Sequence, residues 1–148
     1  MTQAPHILLV EAPYYAHISV ELRRGAEHVL AAAGATHESL QVPGAFEIPA
    51  AIGFAARASG RFDGFVALGC VIRGETTHYD HICAETARSL QDLAVRDGLP
   101  IGYGILTVEN EAQGLVRAAP DGRDKGGEAT RACLALVALK RRFRGSAG

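Results

Sequence analysis

The sequence predicts an α/β fold: one three-layer α/β/α sandwich around a four-stranded parallel sheet. Three observations carry that expectation. Short apolar runs alternate along the whole chain with longer stretches of helical spacing. Such alternation implies βαβ crossovers, which are right-handed and build a parallel sheet covered on both faces. At 148 residues the chain suits a single hydrophobic core. No internal repeat, low-complexity tract or linker divides it, so residues 1–148 read as one domain.

The elements follow in order. "HILLVEA" (6–12) is a short apolar run ended by Pro13, hence a strand. Ile18, Leu22, Ala26, Val29, Leu30 and Ala33 then recur at helical spacing, and Gly34 stands where a C-terminal cap belongs. "THESLQV" (36–42) alternates like a second strand and is stopped by Pro43-Gly44. Residues 47–58 are small and apolar, a helix ended by "ASGRFDG". "GFVALGCVI" (64–72) is a third strand, and 79–97 a long helix closed by Gly98 and Pro100. "IGYGILTV" (101–108) is the fourth strand. Two helical stretches, 109–118 and 126–143, are divided by the turn-rich "APDGRDKGG".

Composition narrows the function classes. Apolar residues make up 48% and charged residues 21%, which is globular and carries no signature of disorder. A net charge of -1 gives no electrostatic case for nucleic acid or an anionic membrane. No apolar run approaches the ~20 residues that span a bilayer. "MTQAPHILLV" has no basic segment before its apolar run, so no secretory signal is expected. Cys70, Cys83 and Cys133 are odd in number and widely spaced, which suits reduced thiols in the cytoplasm.

In open parallel sheets ligands bind outside the carboxyl ends of the strands. Four clusters follow strand ends here: Tyr14-Tyr15, "PGAFEIP", "RGETTHYDHI" and "TVEN". All four are expected to face one crevice. Gly74-Glu75-Thr76-Thr77 precedes a helix, so its N–H groups and hydroxyls sit at the positive end of the helix dipole, an anion site suited to phosphate. The plainer account is an ordinary cap, Thr77 with Asp80 three residues on. His78 weighs against the plainer account, because an imidazole beside an anion site can move protons near neutral pH. His78, Asp80, His81 and Cys83 also invite a metal reading, but no second Cys or His cluster completes a closed zinc site. No metal is assigned. Glu47 can start a helix or bond a ligand, and Tyr14 can pack in the core or stack on a planar heterocycle. Arg117 can be a solvated helix end or a phosphate ligand. The glycines of "GRDKGG" match neither GxGxxG nor a Walker A loop.

Together these residues resemble the 6,7-dimethyl-8-ribityllumazine synthase family, over almost the whole chain. The resemblance is carried by "VPGAFEIPA" (42–50), "ALGCVIRGETTHYDHI" (67–82), "GILTVENEAQ" (104–113) and the spacing from Arg117 to Lys125-Gly126-Gly127. It implies a flavodoxin-like sandwich. It also implies condensation of 5-amino-6-(D-ribitylamino)uracil with 3,4-dihydroxy-2-butanone 4-phosphate in riboflavin biosynthesis, without metal or organic cofactor. By resemblance, Tyr14 stacks on the pyrimidine, where the family usually has Phe or Trp. Ala45, Phe46 and Glu47 hold the ribityl chain, and the backbone of Cys70, Val71 and Ile72 reads the uracil edge. Glu75 and Thr76 form the phosphate loop, and His78 transfers protons. Tyr103, usually Phe, and the phosphate-facing Arg117 come from a neighbouring subunit, so the resemblance implies a homo-oligomer, a pentamer, with sites at its interfaces. "APYYAH" replaces the usual Arg-Phe-Asn. Asp121-Gly122-Arg123-Asp124 departs from the Gly-Thr-Lys-Ala-Gly-Asn pattern of shell-forming members, which implies a free pentamer.

Two other readings stand beside the enzyme. A weakly catalytic flavin- or lumazine-binding relative would keep the crevice, but it has no need of Glu47, Thr76, His78 and Arg117 together. A flavodoxin-like redox module would need a phosphate loop after the first strand, and "EAPYYAHIS" is not one.

Overall fold

A computed structural model describes residues 3–147. β1 (His6–Ala12), β2 (Thr36–Gln41), β3 (Gly64–Ile72) and β4 (Ile101–Val108) form one parallel sheet in the order β2-β1-β3-β4. This is the predicted α/β sandwich, consistent with a flavodoxin-like arrangement. β1 and β3 lie in the middle and are buried almost throughout, which explains why both read as unbroken apolar runs. β2 and β4 are the edges. β2 mixes exposed and half-buried positions, and β4 turns Tyr103 outward.

The helices are α1 (Ala16–Ala32), α2 (Ile48–Ala58), α3 (His78–Arg96), α4 (Glu111–Ala118) and α5 (Lys125–Ala147). Alternate strand residues feed two separate cores. Ile7, Leu9, Val66, Leu68 and Leu106 pack against α1, Ala118 of α4, and Ala129, Cys133 and Val137 of α5. Leu8, Val10, Phe65, Ala67 and Ile105 pack against Ile48 and Ile52 of α2 and Leu90 of α3.

Local chemistry sets the helix limits. α1 ends at Gly34 as expected: with φ +69° its N–H bonds the Ala31 carbonyl, and the Ala35 N–H bonds Leu30. That is a Schellman motif, which needs the left-handed conformation glycine adopts freely. The helix expected over 109–118 begins two residues later. Asn110 is extended (φ −153°, ψ 170°) and its side chain accepts from the Gln113 N–H at 2.9 Å. The Gln113 side chain in turn accepts from the Glu109 N–H at 2.9 Å, so these first residues form the cap rather than the helix. A short 3-10 turn, Ala45–Glu47, leads into α2 and takes Glu47, which the sequence reading puts in the helix itself. α5 runs four residues beyond the expected end at 143.

The glycine pair at the start of α5 has a packing explanation. A Cβ on Gly126 would run into the Leu22 carbonyl, so α1 and α5 cross with backbone against backbone. No helix among the described residues is long and apolar enough to cross a membrane.

Candidate active site

The strand order reverses between β1 and β3, and there the helices leave on opposite faces and open a crevice above the strand ends. Its volume is about 690 Å³. Cys70, Val71 and Ile72 close its floor where β3 ends. Gly44, Ala45, Phe46 and Glu47 form one wall, and Tyr14 and Tyr15, after β1, form another. His78, the first residue of α3, and Ile82, one turn on, complete it.

Much of the set singled out in the sequence comes together in space. Tyr14, Ala45, Phe46, Glu47, Cys70, Val71, Ile72 and His78, spread over 65 positions, meet in one crevice. Two aromatic faces are left to the solvent, Tyr14 at 76% exposure and Phe46 at 56%. The Tyr14 and Tyr15 rings meet edge to face with centroids 4.9 Å apart. Burial, with the neighbouring Tyr14 a lesser cause, raises the Tyr15 hydroxyl pKa. Burial, then the Glu111 charge, pushes the Cys70 thiol up to about 11. At neutral pH the crevice thus presents the neutral thiol of Cys70 and the neutral phenol of Tyr15, beside the carboxyl group of Glu47 and the imidazole of His78.

One expectation needs correction. "TVEN" does not join the crevice lining. Its polar residues are engaged elsewhere: Asn110 caps α4, and Glu109 accepts from the Arg73 guanidinium.

The loop before α3 carries Glu75 and Thr76, both exposed, three and two residues before His78 and outside the crevice lining. The expected Thr77 cap is not made. Thr77 is already helical (φ −74°, ψ −1°), whereas a capping side chain needs an extended backbone to reach back to the helix. Thr76 acts instead, its hydroxyl accepting from the His78 N–H at 3.3 Å.

Tyr103 and Arg117 lie apart from this crevice. They line a second cleft of about 310 Å³, together with Thr107, Arg123, Lys125 and Glu128, on the β4 edge of the chain. Among the described residues Arg117 makes one hydrogen bond, from Nη1 to the Gln113 carbonyl at 3.2 Å. Burial raises the Tyr103 pKa. The first crevice holds no Lys or Arg among its lining residues, and the second concentrates three.

Two further placements had weaker sequence signals. Ile82 is four residues after His78, hence on the same helical face, so its place was readable. Arg123 and Lys125 sit beside Arg117 through the turn between α4 and α5, and no local pattern announces that. His78, Asp80, His81 and Cys83 do not converge as a group of three or more that could hold a metal ion, among the described residues.

The chain is similar to known proteins over most of its length. A model of the 6,7-dimethyl-8-ribityllumazine synthase family matches residues 4–141. The 6,7-dimethyl-8-ribityllumazine synthase of Bartonella tribocorum is 51% identical over 143 residues, 97% of this chain and 95% of that protein. That of Sphingopyxis alaskensis is 54% identical over 138 residues, 93% of this chain and 96% of that protein. That of Methylocella silvestris is 55% identical over 141 residues, 93% of this chain and 86% of that protein.

Proposed function

The chain belongs to the 6,7-dimethyl-8-ribityllumazine synthase family, and from that premise we propose that its reaction takes place in the crevice between β1 and β3, with His78 moving the protons. The protein is a transferase of riboflavin biosynthesis. It condenses 5-amino-6-(D-ribitylamino)uracil with 3,4-dihydroxy-2-butanone 4-phosphate to 6,7-dimethyl-8-ribityllumazine, releasing phosphate and water. One observation carries the site assignment: His78 lines the same crevice as the Ala45–Glu47 turn and the end of β3, at the start of a 19-residue helix.

The roles follow from what each group can do. The backbone of Cys70, Val71 and Ile72 stays paired with β4 but lies beyond the last pairing with β1, so on that side it offers N–H and C=O groups to the edge of a uracil. Tyr14 offers a ring face for stacking, and Ala45, Phe46 and Glu47 hold the ribityl chain, with the Glu47 carboxylate accepting from its hydroxyls. The phosphate sits over Glu75 and Thr76 at the positive end of α3. The free amine of the pyrimidine attacks the ketone and water leaves. Phosphate is then eliminated, and the ribitylamino nitrogen closes the second ring with loss of another water. Every one of these steps moves a proton, and His78 stands beside the phosphate loop to give and take them. The remaining acceleration comes from holding two reactants together in a reactive geometry.

The crevice lining lacks a cation for the phosphate, whereas the cleft with Tyr103 and Arg117 has three. This division supports a homo-oligomer in which one subunit's cleft closes over the next subunit's crevice, bringing Arg117 to the phosphate and Tyr103 to the ring. A closed ring generated by one heterologous contact fits that geometry, and we assign it as a free pentamer. All three cysteines are free thiols, which suits the cytoplasm.

The test is a steady-state assay of both substrates, reading lumazine fluorescence, on the natural protein and on His78→Ala. General acid–base help is worth about 10² to 10⁴, and the lower end or less is expected because proximity survives the substitution. Affinity for the pyrimidine should stay nearly unchanged. An unchanged rate would reduce His78 to a helix-start residue.

A further inference from the structure

We propose that Arg73 is a positioning residue for this reaction: it locks the first turn of α3, and with it His78, onto the corner where β4 meets α4. The inference rests on the reading of His78 as the proton-transfer group. Arg73 follows the last residue of β3 and does not line the crevice. Its backbone N–H donates to the Val108 carbonyl at 2.9 Å. Its Nε lies 3.1 Å from Glu109 Oε1 and 3.0 Å from Oε2. Nη1 lies 3.6 Å from Asp80 Oδ1, and Cζ stands 4.4 Å from the centroid of the Tyr79 ring. Tyr79 and Asp80 are the two residues directly after His78. A single side chain therefore joins the end of β3, the end of β4 and the turn that presents the imidazole.

The loop between has little else to fix it. Gly74–Thr77 is exposed, and among the described residues its bonds are two: the Thr76 hydroxyl accepting from the His78 N–H, and the Thr77 carbonyl accepting from the His81 N–H. Both are internal to the loop and helix start. Neither sets the height or angle of His78 over the crevice; the ties to the β4 side come from Tyr79, which pairs with the Thr107 side chain, and from Arg73, which holds the Tyr79 ring and reaches Glu109. Exposed ion pairs add little stability one by one, but the consequence here is geometric. The planar guanidinium holds carboxylates in its plane and a ring on its face at the same time, and a lysine ammonium cannot do both. Misplacing a reacting group by about 1 Å can cost on the order of 10²-fold in rate.

The experiment measures kcat, KM for each substrate and thermal unfolding for Arg73→Ala, Arg73→Lys, Glu109→Gln, His78→Ala and the double variant Arg73→Ala/His78→Ala. Arg73→Ala should lower kcat about tenfold to a hundredfold with KM for the ribityl pyrimidine unchanged, and Arg73→Lys should not restore it. Glu109→Gln, which keeps Arg73 and weakens its anchor, should lower kcat in the same direction by less. In the His78→Ala background the Arg73 substitution should have no further effect, because residues acting through one another are not additive. Multiplying losses in the double variant, or a lowered melting temperature with kcat intact, would overturn the proposal. If His78→Ala slows the reaction and neither Arg73→Ala nor Glu109→Gln does, this inference alone fails. If His78→Ala changes nothing, the reading beneath it fails as well.

Discussion

Two variants that each impair the reaction should partly restore it when their subunits are mixed. The perturbations are Arg117→Ala and His78→Ala, made in separate chains and then refolded together in equal amounts. Arg117 lies in the cleft on the β4 edge and His78 in the crevice above β1 and β3. The crevice lining holds no Lys or Arg, so in the proposed shared site a bound phosphate depends on the α3 N-terminus and on a cation from a neighbour. Hydrogen bonds to charged groups are worth roughly 1.5–3 kcal/mol. Arg117→Ala alone should therefore raise KM for the butanone phosphate about tenfold to a hundredfold, with KM for the pyrimidine little changed. The fold should tolerate the change, because the guanidinium's bond among the described residues goes to the Gln113 carbonyl of its own helix. In a random mixture, about a quarter of heterologous interfaces pair an intact His78 with an intact Arg117. Fluorescence of the lumazine product, followed at limiting butanone phosphate, should then rise to about a quarter of the natural protein's rate, above either variant alone. A mixture no better than its parts, in oligomers shown by mass to be mixed, refutes the shared site. Equal KM losses for both substrates would instead make Arg117 a support of the fold.

Gly126→Ala should destabilise the protein by about 1–3 kcal/mol, the usual cost of overpacking, because its methyl group meets the Leu22 carbonyl; an unchanged urea midpoint would refute the backbone contact. Burial pushes the Cys70 thiol up to about 11 and Cys133 up to about 12 from an ordinary 9.0. The folded chain thus holds these protons more tightly than the unfolded chain, so their contribution is whole below pH 9.0 and fades as pH rises through the folded values. Melting temperature should fall above about pH 9, and the fall should be shallower in Cys133→Ala; identical slopes would count against the thiols.

The strand limits are legible in the sequence because β1 and β3 are buried on both faces and bounded by Pro13, Gly64 and Arg73. Such strands show apolar runs with sharp ends. The candidate crevice is legible through the rule that ligands bind at strand ends, which gathers Tyr14, Phe46 and His78 without any distance information, whereas Cys70 enters only through the family resemblance. What escapes is competition among polar groups. Glu109 and Asn110 have the composition of ligand-binding residues, yet one anchors Arg73 and the other caps α4. Thr77 has the residue type of a cap, but its backbone is already helical and Thr76 does the work. Outcomes of this kind depend on torsion angles one or two residues away, which residue type alone does not report.

The two cores are finished at different times during synthesis. The layer under α2 and α3 draws on residues no later than Ile105, so it can close while the rest of the chain is still being made. The layer under α1 also needs Ala118, Ala129, Cys133 and Val137. Until the ribosome has released those residues, Ile7, Leu9, Val66 and Leu68 have α1 on one side and no final helix beside it. A nascent chain of this protein therefore exposes one apolar face for most of its elongation, and chaperones that bind such faces would meet it on the α1 side.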